Sequence, residues 1–125
     1  MTLINCEKFT SHSGLDLDFK IDCDYLTDSD IECIAKLIAK RTVFGHVYGI
    51  PRGGARLAEA LKQYHDDNVS TVLVVDDVLT TGQSMEGIRM FFEEYGFDVI
   101  GWVIFARKKP PEWVNAVFVL GEVIE

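Results

Sequence analysis

Residues Val72 to Ser84 read VLVVDDVLTTGQS. Four apolar and mostly β-branched residues in a row describe a strand buried on both faces. Two adjacent carboxylates follow, Asp76 and Asp77, and then a loop of small hydroxyl and glycine residues that opens a helix. Thr80, Thr81, Gly82, Gln83 and Ser84 can turn successive backbone N–H groups inward, which makes a nest for a phosphate at a helix N-terminus. Gly82 permits close backbone approach, and the hydroxyls add donors. Asp76 and Asp77 would repel a bare phosphate, but they suit sugar hydroxyls, which donate to carboxylates, or a hydrated Mg2+. Phosphate, adjacent diol and metal together describe a ribose 5-phosphate.

Working outward, TDSDIECIAKLIAK (27–40) predicts a helix. Asp28 or Ser29 can cap it, and Ile31, Ile34, Ala35 and Ile38 form its apolar stripe. HVYGI, ended by Pro51, predicts a short buried strand. A helix over 55–64 follows, then a strand over 71–75. A second amphipathic helix is predicted over 84–95, with Met85, Ile88, Met90, Phe91 and Phe92 as its apolar residues and Gly96 at its C-cap. Residues 98–105 and 117–120 predict two further strands. Strands alternating with helices imply a three-layer α/β fold, a mainly parallel sheet flanked by helices and joined by right-handed crossovers. Ligands in such sheets bind beyond the carboxyl ends of the strands.

YGIPRGGARLA (48–58) repeats the strand–loop–helix logic. Gly53 and Gly54 allow unusual backbone conformations, and Arg52 brings a planar cationic fork, a combination that suits a diphosphate. Cys23, Trp102 and Trp113 read as packing residues.

Composition excludes several classes. With 125 residues and no repeat or Gly/Ser linker, the chain is expected to form a single domain over 1–125. It has 48% hydrophobic and 26% charged residues, and no apolar run long enough to cross a membrane. The start, MTLINCEKFT, has no basic or apolar leader, and Cys6, Cys23 and Cys33 fit neither a disulfide framework nor a zinc site. Reduced thiols and a cytoplasmic location are the expectation. A net charge of −8 speaks against nucleic-acid binding, and no membrane partner is expected.

The 72–84 segment resembles the 5-phosphoribosyl-1-pyrophosphate (PRPP) motif of the type I phosphoribosyltransferases: hydrophobic strand, acidic pair, two aliphatic residues, then T-T-G-x-S. The resemblance implies that Asp76 and Asp77 hold the ribose hydroxyls, with Mg2+ through water, and that Thr80 to Ser84 wrap the 5-phosphate. Pro51, Arg52, Gly53 and Gly54 resemble the family's pyrophosphate loop, which often carries a non-proline cis peptide. FTSHSG (9–14) is similar to the hood opening of orotate phosphoribosyltransferases, with His12 where those enzymes have lysine. Phe19, Lys20 and Ile21 fall where the hood supplies aromatic residues, and Arg107 in IFARKKP stands where arginine pairs with the orotate carboxylate. His12, Phe19, Lys20 and Arg107 are thus the implied base-binding residues, with a small hood built from about 1–27 and 106–125.

What the resemblance implies is a PRPP-dependent transferase of the orotate type, a glycosyltransferase acting as a homodimer with PRPP and a nucleobase as substrates. Asp76, Asp77 and Arg52 would catalyse by positioning and charge neutralisation. Between Tyr64 and Thr71 lies only HDDNVS, where orotate phosphoribosyltransferases carry an extra strand and a long mobile loop. A non-catalytic PRPP- or nucleotide-binding regulatory protein is the alternative.

Overall fold

A computed structural model describes residues 2–5, 9–10, 16–17 and 20–120, with the backbone alone at 9–10, 16–17 and 20. The N-terminal part contains two small antiparallel pairs. β1 (Ile4–Asn5) pairs with β4 (Lys20–Ile21), and β2 (Phe9–Thr10) pairs with β3 (Asp16–Leu17). A 3-10 turn over Cys23–Tyr25 leads to α1 (Asp28–Arg41). The cap of α1 is Thr27, not Asp28 or Ser29. Its side chain accepts from Asp30 N–H at 3.0 Å, and Asp30 accepts from Thr27 N–H at 2.8 Å. This reciprocal box satisfies two donors at once.

β5 (His46–Gly49), β6 (Val72–Leu79), β7 (Val99–Ala106) and β8 (Val114–Val119) form one parallel sheet in that spatial order. α2 (Ala55–Leu61), extended by a 3-10 turn to Tyr64, joins β5 to β6, and α3 (Gln83–Glu94) joins β6 to β7. β6 is longer than the apolar run that announces it. Its pairing with β7 continues through Asp76↔Val103 to Leu79↔Ala106, so the acidic pair lies inside the strand and not after it. β8 starts three residues earlier than predicted, because Gly101↔Val114 opens its ladder with β7. Residues 114–119 therefore belong to the main sheet.

Alternation along β6 divides the core. Leu73 and Val75 pack with Ile34, Ile38, Leu57 and Leu61 of α1 and α2. Val72 and Val74 pack with Met85 of α3 on the opposite face. The three layers are thus α1 and α2, the sheet, and α3. Two successive one-strand crossovers in the same direction, with their helices on opposite faces, have opposite hands. The expectation of right-handed crossovers throughout therefore fails for one of the two. The chain runs from Tyr64 to Val72 with no intervening strand, only a turn closed by Val69 N–H to Asp66 carbonyl.

Trp102 packs in the core, and its indole N–H donates to the buried Thr42 hydroxyl at 2.7 Å. Trp113 donates to Glu86 at 2.6 Å beneath the Arg89 guanidinium. Met90 and Phe91 differ from the predicted apolar face of α3, being 66% and 52% exposed. At 100° per residue Met85, Ile88 and Phe92 take the inner face, and 90 and 91 are turned away.

Candidate functional site

A cleft of ≈ 990 Å³ opens at the carboxyl ends of β5, β6 and β7. It is lined by Pro51, Arg52 and Gly53, by Asp76 and Asp77, by Thr80 to Ser84, and by Arg107. The two loops and the acidic pair singled out in the sequence therefore meet in one place. The peptide bond between Pro51 and Arg52 is cis.

Each part is set locally. Gly82 has φ 80, a left-handed conformation that glycine adopts without penalty, and it starts α3. At the start of α3, Gln83 N–H donates to the Thr81 hydroxyl at 3.4 Å, and Thr80 to Ser84 all line the cleft. Opposite, a Cβ on Gly53 would fall on the Asp77 carboxylate, so the bare glycine lets the 51–54 loop lie against β6. Gly54 does not line the cleft. It lies underneath, buried, against the Val75 carbonyl, and a Cβ there would stand 2.7 Å from Ile50 N. Its place is to bring the loop down onto the sheet.

The carboxylates are held by the strand itself. Asp76 accepts from Asp77 N–H at 2.8 Å, and Asp77 from Val78 N–H at 2.7 Å. Burial, with the adjoining Asp77 carboxyl, pushes Asp76 up to about 8. Burial lowers the Arg107 guanidinium from its ordinary range.

Of the fourth wall, neither acidic residue was singled out in the sequence. Ile21, Asp22, Cys23 and Asp24 also line the cleft. Cys23 packs on the core as expected, but its thiol also faces the acids. Burial, then the charges of Asp77, Asp22, Asp24 and Asp76, push it up to about 12, so it is a neutral thiol and no nucleophile. Arg56 pins this turn to α2, donating to the carbonyls of Leu26 at 2.9 Å and Cys23 at 3.5 Å and pairing with Asp28 at 3.1 Å. Two carboxylates flanking a cysteine just before a helix cap were the available signal. Of the implied base-binding residues, His12 and Phe19 lie outside the described residues. Lys20 is described only through its backbone pairing with Asn5.

The raised Asp76 pKa has a measurable consequence. The folded protein keeps a proton that the unfolded chain loses between about pH 4 and pH 8. Stability therefore falls as pH rises through that window, and the loss is complete above it. Asp76→Asn preserves the acceptor for Asp77 N–H and removes the titration. In EDTA, its melting temperature at pH 8.5 is expected to exceed the wild-type value by about 4 °C, with the two curves converging near pH 4. Parallel curves would show that Asp76 is ionised without penalty.

No protein-family model and no curated protein matches the sequence. Solved structures do match. Orotate phosphoribosyltransferase from Aeropyrum pernix superposes with a TM-score of 0.74 at 20% identity, over 94% of this chain and 89% of that one. The Mycobacterium tuberculosis H37Rv orotate phosphoribosyltransferase bound to inorganic phosphate gives 0.71 at 18%, over 94% and 88%. Helicobacter pylori xanthine-guanine-hypoxanthine phosphoribosyltransferase gives 0.58 at 17%, over 81% and 85%. No helix among the described residues is long and apolar enough to cross a membrane. With its four-stranded parallel sheet, its helices on both faces and the cleft at the strand ends, the chain has the fold of the type I phosphoribosyltransferases.

Proposed function

We propose that the chain binds Mg2+–PRPP across this cleft and transfers its ribose 5-phosphate to a nucleobase, releasing pyrophosphate. One observation carries the reading: the bare Gly53 backbone lies on the Asp77 carboxylate, so the 51–54 and 80–84 loops flank one acidic pair. Asp76 and Asp77 accept from the ribose hydroxyls, loop 80–84 donates to the 5-phosphate, and Arg52 lies on the diphosphate. The described residues contain no group of three or more His, Cys, Asp or Glu side chains able to hold a metal ion. That fits Mg2+, which is commonly held by one or two carboxylates together with substrate phosphates. Its contribution when bound is to neutralise diphosphate charge.

A base nitrogen forms its bond to the anomeric carbon as the bond to pyrophosphate breaks, through an oxocarbenium-like transition state, and the base gives up its N–H proton. No side chain need become covalently attached. The chain's part is to hold the ribose rigidly and to place Arg52 against the departing charge. Arg107 in the cleft, and the resemblance to the orotate branch, support an orotate-type acceptor. A homodimer belongs to the same reading, supported by the small size of the chain and by the exposed Met90, Phe91 and Tyr95 on α3.

A second reading rests on the short link between Tyr64 and Val72. With no loop there to close over the substrate and exclude water, the cleft suits a PRPP-binding regulator. Incubation with Mg2+, PRPP and a pool of orotate, uracil, adenine, guanine and hypoxanthine, read by mass spectrometry, separates the two. A new nucleotide mass is the expected result. Intact PRPP with saturable binding establishes the regulator, and no binding at all overturns both.

A further inference from the structure

We infer that a second, smaller cavity, between the start of α3 and the basic segment that follows β7, binds a compact oxyanion of the size of inorganic phosphate. The cavity is ≈ 160 Å³, and Thr80, Thr81, Gly82, Glu86, Lys108 and Lys109 line it. Arg52, Asp76, Asp77 and Arg107 line the cleft and not this cavity, so it is a separate site and does not depend on what the cleft binds. Pockets for drug-sized ligands start at roughly 300 Å³, so this one has room for a single phosphate and not for a nucleotide.

The backbone that carries the two lysines is held on both sides of them. Arg107 N–H donates to the Leu79 carbonyl at 3.4 Å, and Val114 N–H donates to the Pro111 carbonyl at 3.0 Å. Pro110 and Pro111 fix φ directly after the pair, and Trp113 packs in the cluster on the α3 side of the sheet. Lys108 and Lys109 are exposed and have no ion-pair partner among the described residues, in a chain whose net charge is −8. Glu86 is the only acidic residue among those described in the lining, and its carboxylate is already engaged. It accepts from the Trp113 indole N–H at 2.6 Å and lies 3.8 Å from the Arg89 guanidinium. The Thr81 hydroxyl accepts from Gln83 N–H, which leaves its own O–H to donate. Two ammonium groups and a hydroxyl donor against one compensated carboxylate favour an anion, and a phosphate can accept from all three. Leu79 to Gly82 line both cavities, so an anion held here rests on the same loop that lines the cleft.

Amide NMR on the isotopically labelled full chain tests this, with inorganic phosphate as the probe and sodium chloride at matched ionic strength as the control. The amide signals of Glu86, Lys108 and Lys109 are expected to follow a saturable isotherm in the millimolar range with phosphate and to stay in place with chloride. The double variant Lys108→Gln, Lys109→Gln is expected to weaken that isotherm at least about tenfold, while any shifts at Arg52 and Asp77 stay as in wild type. Both lysines are exposed, so its melting temperature is expected within about 2 °C of wild type, which circular dichroism checks. Shifts at 108 and 109 that do not saturate, that chloride reproduces, or that the double variant retains overturn the inference. Saturable shifts at Arg52 and Asp77 alone also overturn it and put the phosphate in the cleft. No PRPP is used, so every one of these outcomes leaves the transferase reading to its own test.

Discussion

Asp77→Asn is expected to weaken Mg2+-dependent PRPP binding by on the order of 100-fold while leaving the fold intact. The fold survives because the amide side chain keeps an oxygen that can accept from Val78 N–H, as the carboxylate does at 2.7 Å. The residue sits near the end of β6, where the Gly53 backbone packs on its carboxylate and the 80–84 loop begins three residues on. Replacing it with an amide removes the negative charge that a divalent cation and two ribose hydroxyls would use, and hydrogen bonds to a charged group are worth about 1.5–3 kcal/mol. Titration calorimetry with and without Mg2+ measures the first effect, and circular dichroism with a thermal melt measures the second. Wild-type affinity in the variant would remove Asp77 from the site.

The neighbouring glycines are expected to separate binding from stability. In Gly53→Ala the new methyl meets the Asp77 carboxylate, a side-chain group that can swing aside. The expected result is a loss of PRPP affinity of about tenfold or more with a melting temperature within about 2 °C of wild type. In Gly54→Ala the methyl meets the Val75 carbonyl and approaches Ile50 N at 2.7 Å, both backbone atoms of the sheet region. Backbone held in a parallel ladder cannot yield so easily, and overpacking of this kind costs about 1–3 kcal/mol or more. Gly54→Ala should therefore melt on the order of 10 °C lower. The reverse order of the two melting temperatures would contradict the packing described for the loop.

Much of the fold was legible locally. The Ile31, Ile34, Ala35 and Ile38 stripe, the β-branched run before Asp76 and the glycine after α3 each state their own conformation, because burial periodicity and backbone freedom are properties of a few adjacent residues. The two loops that line the cleft were legible for the same reason. Each is a short segment whose chemistry is complete in itself, and the structure brings both to one cleft, with a cis bond at Pro51–Arg52.

Other features depend on partners distant in the chain. The extension of β6 through Asp76 and Asp77 follows from pairing with Val103 and Phe105, and the early start of β8 follows from Gly101. The exposure of Met90 and Phe91 is set by which side of α3 meets the sheet. The opposite hands of the two crossovers arise from helices settling on opposite faces. The 22–24 turn is tied to α2 by Arg56, more than thirty residues from Cys23. Residue types and their spacing determined by themselves which segments fold as strands and helices and which loops suit phosphates, since those are short-range effects of burial, backbone freedom and charge. Where the strands end, which helix face is left to solvent and which carboxylates share the cleft were decided by tertiary structure, because they depend on contacts between segments that no local stretch contains.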